Sequence, residues 1–167
     1  MRIRKTGRPG RNRQEGSGEQ MAKNRILIRC EACKCGFFMR HTLRRAVNTV
    51  LAAERIDIPC EVNILVTDNA HIHALNREFR QVDRPTDVLS FPAQELVPEQ
   101  FDPQSVEVDP DSGCAALGDM VLSQEKAAAQ AAEFGHSLQH EMAYLTVHSV
   151  LHLLGYDHMD EGPDKRR

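Results

Sequence analysis

Three of the eight histidines fall within the eleven residues His148-Ser149-Val150-Leu151-His152-Leu153-Leu154-Gly155-Tyr156-Asp157-His158. His148 and His152 are four apart. On a helix, that spacing stacks both imidazoles on one face, one turn apart. Gly155 can take a left-handed conformation and end the helix. The chain then turns back, and His158 can approach the pair from outside the helix. Three neutral imidazoles held this way suit a tetrahedral zinc with one open position. That position would hold water, whose pKa the metal lowers toward ~7.

The spacing H-x-x-x-H-x-x-G-x-x-H is also that of metzincin proteases. Those enzymes carry Glu after the first His as general base. Here the residue is Ser149, which cannot serve as that base at neutral pH. The ligands alone thus point to a metal-dependent hydrolase of another type, or to a peptidase with an unusual base. Asp157 and Glu141 are the carboxylates nearest in sequence. Asp157 adjoins His158 and can orient an imidazole from behind. Tyr144, Val147, Leu151 and Leu154 form an apolar series expected to face the core, leaving the histidines free for chemistry.

A second constellation lies upstream, in Leu75-Asn76-Arg77-Glu78-Phe79-Arg80 and then Asp83-Arg84-Pro85-Thr86-Asp87-Val88-Leu89-Ser90-Phe91-Pro92. The planar guanidinium of Arg80 can hold a phosphate through two hydrogen bonds. On chemistry alone, a surface Arg in an ion pair is the favoured reading.

Positioning these groups requires an alternating series of elements. Strands are predicted at Ile26 to Arg29, Val62 to Thr67, Asp87 to Phe91 and Gly118 to Ser123. Helices are predicted from Phe38 to Ala53, after an Asp68 cap to Phe79, after a Ser123 cap to Gly135, and from about Ser137 to Leu154. The order β-α-β-α-β-β-α-α indicates an α+β domain with a small mixed sheet and packed helices. The acidic 93–117 segment reads as a surface loop bordering a site, or a lid over it.

The chain has 167 residues and a formal charge of −3, with 41% apolar residues, enough for one core. No apolar run approaches the ~18–20 residues of a membrane span, and no secretory signal is evident. Residues 1–20 hold six basic and two acidic residues and read as a flexible basic tail; Met21 offers an alternative start. The domain is assigned to 21–167. Without the tail, 15 basic residues face 22 acidic ones. Any nucleic-acid contact must therefore come from a local basic patch. Cys30, Cys33, Cys35, Cys60 and Cys114 are odd in number and suit reduced thiols in a cytoplasm rather than a disulfide framework. The first three have the spacing of a metal clip but lack a matching second pair. His41, His71, His73, His136 and His140 lack ligand spacing with the triad and read as surface or capping residues.

The blocks LNREFR…DRPTDVLSFP, GDMVLS and HSVLHLLGYDH, in that order, closely resemble the YbeY-type endoribonucleases, bacterial rRNA maturation factors. The resemblance spans roughly Ile26 to Glu161. It implies an α+β fold, one zinc held by His148, His152 and His158, and single-strand-specific RNA cleavage in a bacterial cytoplasm. It implies that Arg80 is needed for activity, facing the metal and touching a substrate phosphate. It further implies work on rRNA ends, notably of the small subunit, ribosome quality control, and ribosomal partners. Family members usually continue past the last His with a further helix, which this chain, ending at Arg167, is expected to lack. Ser149 stands where the family often has Gly. Two rivals remain: a metallopeptidase, and a non-catalytic ribosome-associated protein with a structural zinc completed by His140 or a Cys. With no Trp and eight aromatic residues, extensive base stacking and strong sequence preference are not expected.

Overall fold

A computed structural model describes residues 23–156. The tail assigned to 1–20, Asp157 and His158 lie outside the described residues. The elements are β1 (Arg25–Cys30), α1 (Phe37–Ala53), β2 (Cys60–Thr67), α2 (Asn69–Arg80), β3 (Val88–Pro92), β4 (Ala115–Ser123), α3 (Gln124–Phe134) and α4 (Leu138–Leu153). Their order is the expected one, and the fold is a small α+β domain.

Local chemistry sets most helix ends. The Asp68 carboxylate accepts the His71 backbone N–H at 2.9 Å and starts α2; that bond holds its carboxyl below the usual range. Ser123 and Ser137 do the same for α3 and α4, each at 3.1 Å. Gly135 ends α3 in the left-handed region at φ +72°, the usual device for closing a helix. Helix α2 ends instead on a side chain in that region, Gln81 at φ +57°, directly after Arg80.

The sheet order is β1-β2-β4-β3. The first three strands run parallel, and β3 lies antiparallel on the edge. Cys60, Val62, Ile64 and Val66 of β2 alternate into the main core, with Leu43, Val47, Met142 and Val150 among the helical residues facing them. Leu65, which interrupts the apolar-polar alternation, points the other way. It packs with Ile72, Leu75, Leu89 and Val121 in a smaller core beneath α2. The second face is covered only beneath α2, and β1 keeps Arg25, Leu27 and Arg29 exposed on it, which is why β1 and β2 alternate rather than read as continuous apolar runs. Strand β4 begins at Ala115, three residues before its expected start, because Ala115 pairs with Cys60.

The apolar series expected for α4 is corrected. Tyr144 is 48% exposed, and Val147 and Leu151 are only half-buried; of that series Leu154 alone is buried. The buried ridge is Met142, Leu145, Thr146, Ser149, Val150 and Leu153. This helix is apolar on most sides and packs against α1, α3, β3 and β4. Periodicity therefore carried little information about which side faces inward.

Candidate active site

The site is built where the C-terminal turns of α4 meet the edge strand β3 and the last residue of α2. The Nε2 atoms of His148 and His152 lie 3.0 Å apart, with ring centroids 4.5 Å apart and planes at 79°. Two imidazole nitrogens this close supply part of the donor set that a tetrahedral zinc takes. The described part of the expected trio therefore fits such an ion. Among the described residues no group of three His, Cys, Asp or Glu side chains is arranged to hold a metal. His158, the expected third ligand, lies outside them, as does Asp157.

Gly155 follows at φ +90°, a backbone few side chains tolerate. A Cβ there would overlap the Leu96 carbonyl oxygen. The glycine thus both releases the chain from the helix and lets the 93–114 loop close against it. That loop is fastened by Gln94, whose amide donates to the Ala116 and Glu107 carbonyls at 2.8 and 3.0 Å and accepts from Glu107 N at 2.8 Å. Tyr156 then donates to the Glu54 carboxylate at 2.7 Å, which raises the phenol pKa. This bond ties the end of α4 to the end of α1.

Arg80 ends α2 and reaches across to β3. Its Nη2 donates to the Ser90 carbonyl at 2.8 Å, and its guanidinium carbon lies 5.9 Å from the centre of the Phe91 ring. That is within cation–π range. Phe79 braces the same ring edge-on at 5.3 Å. Among the described residues no carboxylate stands within ion-pair distance of Arg80. The ion pair expected for this residue is not formed with any described residue. Asn76, buried in α2, donates to the Arg84 carbonyl at 2.8 Å and so anchors the turn that follows Arg80.

The link between the two halves is one that sequence reasoning missed. The Ser90 hydroxyl lies 2.7 Å from the Ser149 hydroxyl. Ser90 thus holds Arg80 through its carbonyl and α4 through its side chain, next to His148. Nothing in a strand residue of the DVLSFP block marks it for that task.

Glu141 stands two helical turns before His148. It lies 3.2 Å from His136 Nε2, near the N-terminal end of α4, so it is a poor base for the histidine pair. A cavity of about 470 Å³, lined by residues including Asp87, Gln130, His136 and His140, opens at that same end. His140, the suggested fourth ligand, packs its ring on His136 there, at 4.5 Å between centroids. None of the five cysteines is paired in a disulfide. No described helix is long and apolar enough to cross a membrane.

A family model described as Endoribonuclease YbeY matches residues 29–166. The chain belongs to this family. Endoribonuclease YbeY of Agathobacter rectalis is 44% identical over 133 residues, covering 77% of this chain and 81% of that protein. The Chloroflexus aurantiacus protein of the same name is 51% identical over 121 residues, 72% of this chain and 73% of that one. The solution structure of TM1509 from Thermotoga maritima is 27% identical, with a TM-score of 0.51 over 84% of this chain and 80% of that chain. The match to the YbeY family model thus covers all the described elements of the site, from α2 to α4.

Proposed function

We propose that this chain is a single-strand-specific, zinc-dependent endoribonuclease that matures rRNA, small-subunit ends in particular, and serves ribosome quality control. Membership in the family makes it an enzyme acting on RNA phosphodiester bonds. The observation that supports the finer reading is the paired Nε2 atoms of His148 and His152, joined through Ser149 and Ser90 to an Arg80 without a carboxylate partner among the described residues.

In this reading His148, His152 and His158 hold one zinc ion, and Asp157 orients an imidazole. A zinc ion there supplies Lewis acidity toward a phosphoryl oxygen or an attacking water. Arg80 binds the scissile phosphate and offsets charge developing on its oxygens. One of its five N–H groups is committed to Ser90, which leaves enough for a two-point phosphate contact. The Ser90 carbonyl and Phe91 ring fix the guanidinium plane, so little rotamer freedom is lost on binding. An unpaired strand suits the site because its splayed backbone can reach recessed groups, whereas an A-form helix is stiff. The substrate is rRNA, met in a bacterial cytoplasm with ribosomal proteins as partners. Attack by water and attack by the RNA 2′-OH are separated by product ends: a 2′,3′-cyclic phosphate excludes direct water attack.

The test is chelator-sensitive cleavage of single-stranded RNA by wild type, His148→Ala and Arg80→Ala. Both substitutions are expected to abolish cleavage, and only His148→Ala to weaken zinc binding strongly. Full activity in Arg80→Ala would end the phosphate role. Cleavage untouched by chelator would end the metal role.

A further inference from the structure

We infer that the exposed face of α1 is a second contact surface for single-stranded RNA, with Phe37 and Phe38 as stacking rings and Lys34, Arg44 and Arg45 as phosphate contacts. The inference rests on the endoribonuclease reading above. Helix α1 buries Met39, Leu43, Ala46, Val47, Val50 and Leu51. Its opposite face carries Phe37, His41, Arg44 and Arg45, all exposed. His41 follows Phe37 by four residues and precedes the two arginines by three and four, so these side chains are neighbours on the helix surface. Phe37 and Phe38 are 77% and 78% exposed, the two most solvent-open large apolar side chains among the described residues.

The rings are ordered relative to one another. Phe37 lies nearly parallel to His41, at 15° with centroids 6.4 Å apart, and Phe38 meets Phe37 edge-on at 5.8 Å. Such faces accept any base, because every base presents a π-surface. Their surroundings decide between an RNA and an apolar protein partner. From Ala32 to Ala53 there is no carboxylate, in a chain whose net charge is −3. Lys34, Arg44 and Arg45 are exposed, the first three residues before Phe37 in the chain and the other two one turn beyond His41. Arg40 is turned inward, donating to the Ile28 carbonyl at 2.7 Å, and is not counted. None of these three cations forms an ion pair among the described residues, so they are available to phosphates while the rings take bases. This is the local basic patch that an otherwise acidic body requires.

The surface is separate from the histidine pair. The Tyr156–Glu54 bond sets the end of α4 beside the end of α1, so Phe37 lies at the far end of α1. The 17 residues of α1 put Phe37 about 25 Å from that bond at ~1.5 Å per residue. At ~3.4 Å per stacked nucleotide, a 12-mer spans ~40 Å and reaches both places, while a trimer spans only ~10 Å.

The full chain, loaded with zinc, is tested by fluorescence anisotropy with a 2′-O-methyl oligouridine 12-mer, and by cleavage of a ribose 12-mer and a trimer. Phe37→Ala with Phe38→Ala is expected to weaken 12-mer binding about 10- to 100-fold. KM for the 12-mer should rise, with kcat and trimer cleavage unchanged. Phe37→Leu with Phe38→Leu should lose a similar amount, since Leu keeps apolar area but not the ring face. Arg44→Gln with Arg45→Gln should lower the salt slope of binding by about 1–2. The inference is overturned if the Ala pair binds within about twofold of wild type, or if the Leu pair keeps full affinity. A change in self-association with RNA affinity intact would overturn it equally, in favour of a second copy of the chain. Wild type that cleaves neither RNA would instead overturn the endoribonuclease reading itself.

Discussion

Ser90 on β3 and Ser149 on α4, 59 residues apart in the chain, bring their hydroxyl oxygens to 2.7 Å. Ser149 is fully buried, and Ser90 is half-buried on the edge strand that also holds Arg80. The pair fixes the distance between the Arg80 guanidinium and the histidine-bearing helix. Either Ser90→Ala or Ser149→Ala leaves a hydroxyl without its partner, at a cost of about 1–3 kcal/mol. The double substitution should cost less than the two singles together, because no partner is then stranded. Urea unfolding of the four proteins measures this. Strict additivity would show that the two hydroxyls do not act as a pair.

Arg80→Lys is expected to behave more like Arg80→Ala than like wild type. An ammonium can neutralise a phosphate but lacks the planar fork that bonds the Ser90 carbonyl beside Phe91 and still offers two parallel N–H groups. A drop in kcat/KM of about tenfold or more for Lys follows. Stability should be nearly unchanged because the side chain is exposed. Steady-state cleavage assays decide it, and a fully active Lys variant would rule out the planar contact.

Gly155→Ala should destabilise the fold by about 2 kcal/mol or more. A left-handed backbone alone costs an L side chain about 1–2 kcal/mol. The new methyl also overlaps the Leu96 carbonyl. Because the turn leads from His152 toward His158, zinc affinity should fall as well. Thermal melting with and without zinc separates the two effects: the melting-temperature gain on adding zinc should shrink in the variant. A variant that melts like wild type would show that the turn tolerates a side chain.

Cys60 predicts an alkaline limit. Burial, with Cys114 beside it, pushes its thiol up to about 12 from an ordinary value near 9. The folded protein therefore keeps a proton that the unfolded chain releases. The resulting stability is fully present below about pH 9 and is lost as pH rises toward about 12. Cys60→Ala loses packing at every pH, yet its deficit relative to wild type should narrow as pH rises from about 9 toward about 12, as the unfolded thiol's ionisation draws wild type toward unfolding. Denaturant unfolding across that range checks it, and a constant deficit would count against the buried-thiol explanation.

Chelation should lower the melting temperature of wild type and leave His148→Ala nearly unaffected. A ligand that binds only the folded state stabilises it, by an amount that grows with the logarithm of its concentration over its Kd. Differential scanning fluorimetry with and without EDTA tests this. Equal shifts in both proteins would move the metal away from His148.

Much of this molecule is written locally. Asp68, Ser123 and Ser137 cap helices because their side-chain oxygens meet backbone N–H groups two or three residues on. Gly135 and Gly155 end elements at positive φ, which glycine alone adopts cheaply. The four-residue step between His148 and His152 brings two ring nitrogens together wherever that segment is helical. Such interactions span one turn of chain, so residue order suffices to read them. The inward side of α4 was not legible, because a helix covered by four neighbours is apolar nearly all round. Nor was the service Ser90 performs. Its position depends on the register of β3 on β4, where Ser90 pairs with Met120, and on Gly118, whose missing Cβ lets Phe91 and Pro92 pass. Register and helix placement are settled by burial summed over the whole core, and no short stretch of sequence contains that sum.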